Sequence, residues 1–284
     1  MKQIATDPNK VPSLLDVEDL QAMLDSMTGG WQSHILLVSL SEFGEEYKGR
    51  IGVFKQLGFG KGLSGEEVAD IRSCYELYTR ELDRIGFPYN SALKTQAVAV
   101  RNFSEDLTGN PIEWHVHMLE EFKGPGRDIK HELLHFRATE KEGYQDIFLK
   151  RYRDLLALLY SVPVREDGRL EVAIDFKPDN FVCEPETGSI LMIDTYPPKI
   201  YEKDGLLHHF PKLDPNFSRE YITDLCTDLV WMSARMRKEF SKIDSEMLGQ
   251  MDEVMRKIVV DSVPAGKSKQ ILAALDSEFK DLDI

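Results

Sequence analysis

Asp175-Phe-Lys-Pro-Asp-Asn180, followed a short distance on by Ile193-Asp194, is the stretch on which the reading of this 284-residue chain turns. Asn180 and Asp194 bracket two short β-prone runs, 181–183 and 190–193. Between them Glu184-Pro-Glu-Thr-Gly-Ser189 has the composition of a turn. A hairpin centred near Thr187 sets Asn180 opposite Asp194. Its open end then presents an amide oxygen beside a carboxylate, with Asp175 and Lys177 in the loop just upstream. Hard oxygen ligands of this kind suit Mg²⁺, and Mg²⁺ with a lysine suits a transferable phosphate. A surface hairpin using Asp, Pro and Asn for turn chemistry alone is the plainer alternative. The spacing to Asp194, and the β character on both sides of the turn, favour the site.

Composition sets the frame. A hydrophobic share of 42% and a charged share of 30% are those of a globular protein with room for one large domain or two lobes. No run of about 18 apolar residues is present, so no membrane span is expected. The first ten residues lack the apolar core of a signal peptide. Cys74, Cys183 and Cys226 are odd in number and widely spaced, which argues against a disulfide framework or a zinc site and fits a cytoplasmic protein. A net charge of −14 argues against nucleic acid as a partner and is compatible with a cationic small-molecule acceptor.

Along the chain, residues 1–12 are polar, and Ser13 with Asp16 resembles a capping box opening a helix to about Met27. Strands are expected at 34–40, 47–57, 95–100 and 114–119, within a β-rich region of five strands. A helix at 66–85 interrupts them, and Gly86-Phe-Pro88 ends it. Residues 120–126, Glu-Glu-Phe-Lys-Gly-Pro-Gly, mark a change from β-type to turn-type composition. The remainder is expected to be mainly helical. In 144–162, Phe148, Tyr152, Leu155, Leu156 and Leu159 repeat at helical spacing, and 221–240 carries a second apolar stripe.

The pattern Asp175, Lys177, Asn180, then Asp194 resembles the catalytic loop of the protein-kinase-like superfamily, nearest to small-molecule kinases of the aminoglycoside phosphotransferase type. The resemblance implies an α+β, two-lobed protein-kinase-like fold. Residues 1–33 would be an N-terminal extension with a helix, 34–120 a β-rich nucleotide-binding small lobe, and 121–284 a mainly helical large lobe carrying the catalytic hairpin. It implies ATP and Mg²⁺ as cofactors, Asp175 as the base orienting an acceptor hydroxyl, Lys177 steadying the transferred phosphate, and Asn180 and Asp194 as metal ligands. The implied acceptor is a hydroxylated metabolite or antibiotic-like compound. A protein Ser/Thr kinase and a nucleotide-binding pseudokinase acting as an interaction module are the alternatives.

On the nucleotide side, Lys55 in Gly-Val-Phe-Lys-Gln-Leu resembles the strand lysine of that superfamily, with Lys61 as its rival. Glu76, or else Glu81, is the matching helix glutamate. Residues 118–122, including Glu120 and Phe122, occupy the place of the adenine-binding hinge. Gly58, Gly60 and Gly62 come after Lys55 rather than before it, so they read as a connector; Ser41-Glu-Phe-Gly-Glu45 stands where a phosphate-covering loop belongs and is poor in glycine. His115 and His117 alternate on a strand, and no third ligand falls at metal-binding spacing.

Several features depart from the superfamily. Ala173 replaces the usual His two residues before the catalytic Asp, Thr195-Tyr196 stands where Phe-Gly is usual, and Pro197-Pro198 stiffens the chain beyond Asp194. No Ala-Pro-Glu signature is found downstream. These absences favour a constitutively assembled small-molecule kinase. Asp214, Glu220, Asp224 and Asp228 are candidates to supply negative charge to the acceptor side.

Overall fold

The structure is a computed structural model. It describes residues 35–40, 45–48, 50–57, 65–100, 113–121, 127–195, 200–203, 206–209, 219–277 and 279. Lys61, Phe122, Tyr196, Pro197, Pro198, Asp214, the glycines 58, 60 and 62, and the expected N-terminal helix lie outside these. Contacts divide the described residues into two units. One holds those within Met1–Leu77 and Asn90–Lys123, the other those within Tyr78–Tyr89 and Gly124–Ile284.

The first unit is built on a four-stranded antiparallel sheet. Its strands are β1 (Ile35–Ser39), β2 (Ile51–Leu57), β3 (Ala92–Val100) and β4 (Glu113–Glu121), in the order β1-β2-β4-β3. The described residues thus supply four of the five strands expected. The strand expected over 47–57 starts later, because Glu45–Tyr47 forms a 3-10 turn and the Leu40 N–H closes the connection by donating to the Arg50 carbonyl. Helix α1 (Gly65–Arg84) connects β2 to β3. Where its side chains are described, Cys74, Tyr75, Tyr78 and Leu82 form its buried stripe.

The second unit is mainly helical. α2 (Ile129–Ala138) begins at Asp128, whose side chain accepts from the His131 N–H. α3 (Tyr144–Ser161) buries Phe148, Tyr152, Leu155, Leu156 and Leu159, the stripe its spacing predicts. The single helix expected over 221–240 is two, α4 (Arg219–Thr227) and α5 (Leu229–Ile243). Asp228 divides them: its backbone is extended, and its Oδ1 accepts from the N–H groups of Val230 and Trp231 at 2.8 and 3.3 Å. A capping aspartate inside an apolar stripe starts a new helix rather than continuing the old one. Helices α6 (Leu248–Ser262) and α7 (Ala265–Asp276) complete the unit. No helix among the described residues is long and apolar enough to cross a membrane.

Two hairpins sit in this helical setting. β5 (Phe181–Cys183) pairs with β6 (Ile190–Met192), as the β-prone runs predict, and β7 (Ile200–Lys203) pairs with β8 (Leu206–His209), which was not anticipated. Its signal was available: two short β-prone runs separated by Asp204-Gly205, a favoured hairpin dipeptide.

Residues 170–180 show how the sequence aims its side chains. Leu170, Val172, Ile174, Phe176, Pro178 and Asn180 are buried, while the intervening Asp175, Lys177 and Asp179 are only half-buried. This period of two is that of an extended chain with one face on a core. Phe176 and Phe181 pack at 4.7 Å between ring centroids, and both meet Phe87 edge-on at 6.3 and 6.5 Å. α2 and α5 both pack against the 3-10 turn Pro178–Asn180. The polar side chains of the motif therefore stand on a rigid aromatic and helical base.

Candidate active site

Asn180 is the residue around which the site is organised. It is 3% exposed, and its Nδ2 donates to the Asp175 carbonyl at 2.7 Å and to Asp175 Oδ2 at 3.0 Å. Only the NH₂ end of an amide can donate to two oxygens, so this contact directs Oδ1 away from Asp175. The Asn180 backbone carbonyl accepts from the Ile193 N–H at 2.8 Å. Asp194, the next residue, is exposed.

This register corrects one expectation. Phe181 pairs with Met192 and Cys183 with Ile190, so Asn180 faces Ile193 and Asp194 lies one residue further on. The turn explains the slip. Gly188 adopts φ 72°, its N–H donates to the Glu184 carbonyl, and the Glu184 N–H donates to the Ser189 carbonyl. The hairpin therefore closes between residues 186 and 187 instead of on Thr187. A one-residue slip reverses which face each side chain takes within a ladder. Asp194 escapes that consequence because the ladder ends at Met192.

Asp175 is fixed from two sides. Oδ2 receives Asn180, and Oδ1 accepts from Arg235 Nη1 at 2.6 Å. Burial alone would raise this carboxyl's pKa. The Arg235 and Lys177 charges, with the hydrogen bonds from Arg235 and Asn180, outweigh burial and hold it below the usual carboxylate range. Lys177 lies 3.5 Å from Asp179 Oδ2 and 3.9 Å from Asp175 Oδ2. Burial would lower its pKa, but the two carboxylates more than compensate and keep it charged. It is a cation held by field rather than by short hydrogen bonds, so its donors remain available to a phosphate.

Two residues here were not foreseen. Arg235 lies on α5, 60 positions after Asp175, between the buried Met232 and Met236. Burial would lower its pKa, and Asp175 in particular raises it. Its one sequence signal is a cation at the margin of the apolar stripe of α5. Tyr78 on α1 is buried, and the pKa of its hydroxyl is pushed far up, chiefly by burial and further by the carboxylates of Asp175 and Asp194.

The nucleotide-side candidates occupy separate places. Lys55 is on β2, opposite Ile35 and Met118 in the two flanking ladders. Glu76 is exposed on α1, whereas the buried stripe of that helix runs through Tyr75 and Tyr78. Glu81 is exposed too and binds Arg84 at 2.8 Å. Glu120 is 1% exposed inside β4 and accepts from Asn90 at 3.2 Å, so its side chain serves the sheet. Of the acidic residues expected on the acceptor side, Asp224 pairs with Arg169 at 2.7 Å and Asp228 with Lys267 at 3.0 Å. Both are spent on the scaffold. His115 and His117 lie on β4, and among the described residues no three His, Cys, Asp or Glu side chains gather as a metal site.

No family model matches the sequence, and no curated protein matches it. Among solved structures the chain has a distant likeness to one described as the ROP18 kinase domain in complex with AMP-PNP and sucrose. The TM-score is 0.42 at 12% identity, over 75% of this chain and 60% of that one. The chain thus spans less than two thirds of that structure. At this level the likeness carries no argument about activity, and the reading of function stands on the site.

Proposed function

We propose that this chain is an ATP- and Mg²⁺-dependent phosphotransferase of protein-kinase-like fold, transferring the γ-phosphate to a hydroxyl of a small molecule. The observation that carries the reading is the Asn180 amide: its NH₂ is committed to Asp175, which leaves its oxygen for a cation beside a carboxylate two residues past the ladder. Mg²⁺ keeps several waters and takes one or two protein oxygens together with substrate phosphates, so Asn180 Oδ1 and Asp194 are a sufficient protein share. Bound there, Mg²⁺ would neutralise charge on the phosphates of the nucleotide.

The remaining steps belong to the chain's own residues. Asp175, held ionised and fixed at both oxygens, orients the acceptor hydroxyl and takes its proton as that oxygen bonds to the γ-phosphorus and the bond from phosphorus to the β–γ bridging oxygen breaks, releasing ADP. Lys177, on the same side of the extended segment, steadies the transferring phosphoryl group. Lys55 on β2 is the residue assigned to the phosphates further back, and the backbone after Met118 is assigned to adenine. The test is incubation with γ-labelled ATP and a panel of hydroxylated metabolites, analysing protein and small-molecule fractions separately. Label in a small molecule is the expected result. Label confined to protein side chains in trans would make the chain a protein kinase, and no transfer by a nucleotide-binding protein would make it a pseudokinase.

A further inference from the structure

Arg235 is costly to place where it is. Its side chain is 18% exposed, it follows the buried Met232 and precedes the buried Met236 on α5, and its charge is partly withdrawn from water. Asp175 Oδ1 accepts from one of the five guanidinium N–H groups. The other four have no acceptor among the described residues. The side chain keeps 18% of its surface exposed, so part of the fork remains reachable from solvent. The charges nearby do not use them. Glu239, one turn on along α5, takes Lys242 and Lys130, while Lys177 lies between Asp175 and Asp179.

A guanidinium with a free planar fork matches a carboxylate or phosphate through two parallel hydrogen bonds. This one touches the carboxylate assigned to orient the acceptor hydroxyl. A group bound to the fork is thereby set a few ångströms from Asp175. A cationic acceptor would instead meet Arg235 as a like charge. We propose that Arg235 selects the acceptor: the compound phosphorylated carries an anionic group, carboxylate or phosphate, a few bonds from its reacting hydroxyl. This rests on the phosphotransferase reading and reverses the cationic acceptor that the chain's overall acidity admits. Net charge acts over the whole surface, whereas selection is decided by the groups at the site.

The experiment is calorimetry on the full chain, saturated with Mg²⁺ and a non-hydrolysable ATP analogue so that the nucleotide's own phosphates are already in place. The probes are glycerate, glycerol 3-phosphate, glycerol and ethanolamine. Wild type is expected to bind at least one of the two anions 10-fold or more tighter than glycerol, and ethanolamine no better than glycerol. Glycerate against glycerol 3-phosphate tells carboxylate from phosphate. Arg235→Gln is expected to abolish the preference and Arg235→Lys to retain part of it, each checked for an intact fold by circular dichroism. The wild-type comparison needs no variant, so a misfolded R235Q leaves the test standing. Equal affinity for anions and glycerol, preference for ethanolamine, no binding of either anion, or an anion preference surviving in folded R235Q would each overturn the proposal. Failure of the nucleotide analogue to bind at all would instead strike the phosphotransferase reading.

Discussion

Asp175 and Asp228 sit in two regions that resemble each other in chemistry and differ in use. Both are aspartates with extended backbone or an extended setting, Asp175 within the run 170–180 and Asp228 between two helices, and both pair with a cation from a distant helix, Arg235 at 2.6 Å and Lys267 at 3.0 Å. At Asp228 the other oxygen caps α5 through two backbone N–H groups, and the carboxylate is 17% exposed. Gly168, at φ 81°, leaves room for the Lys267 stem there. At Asp175 the partners are all side chains, and the carboxylate is 36% exposed. A carboxylate committed to backbone donors builds the fold, while one held by side chains and still reachable from solvent is poised to act. The difference distinguishes a carboxylate built into the scaffold from one that the proposed chemistry can use.

The comparison breaks most visibly at Asp175. Asp175→Asn keeps the shape but removes the proposed base, and turnover is expected to fall by about 10²–10⁴-fold with nucleotide affinity nearly unchanged. Steady-state kinetics and nucleotide titration check the two halves. Next comes the base on which the motif rests. Phe176→Ala removes a fully buried ring from the Phe87–Phe181 cluster and is expected to cost about 3–5 kcal/mol in denaturant unfolding. Asp228→Ala is expected to show the opposite pattern to Asp175→Asn: a stability loss of about 0.5–2 kcal/mol from the cap, with any activity change tracking the folded fraction.

The smallest effect is a pH dependence. Burial would raise the Glu239 carboxyl, but Lys242, Lys130 and Arg235 outweigh it and depress the folded pKa. A depressed carboxylate contributes stability that is present above its unfolded value and lost as pH falls through the folded one. Glu239→Gln should therefore lower stability at neutral pH and flatten the acid side of the profile below 4.5, the ordinary value for a glutamate. Unchanged acid sensitivity in that variant would remove Glu239 from the account.

Legibility tracked sequence distance. The contacts among Asp175, Lys177 and Asn180, and the return of the chain beside them at Ile193, were legible because one short segment supplies both the alternation that aims the side chains and the turn. The register was missed by one residue because Gly188 sets the turn through its positive φ, which the β-prone runs alone do not reveal. Arg235 and Tyr78 lay beyond reach for another reason. Arg235 meets Asp175 across 60 positions, and nothing local marks a helical arginine as the partner of a particular loop. The Asp228 break was legible in principle, since an aspartate within an apolar stripe is a capping signal. The β7–β8 hairpin was legible too, from its Asp-Gly dipeptide.

The central claim is that Asn180 and Asp194 hold a metal for a nucleotide. Calorimetric titration of ATP with and without Mg²⁺, in wild type and in Asp194→Ala, tests it most directly. The expected result is Mg²⁺-dependent binding in wild type that is lost in a variant whose unfolding midpoint is unchanged. Equal Mg²⁺–ATP affinity in the two proteins would contradict the assignment.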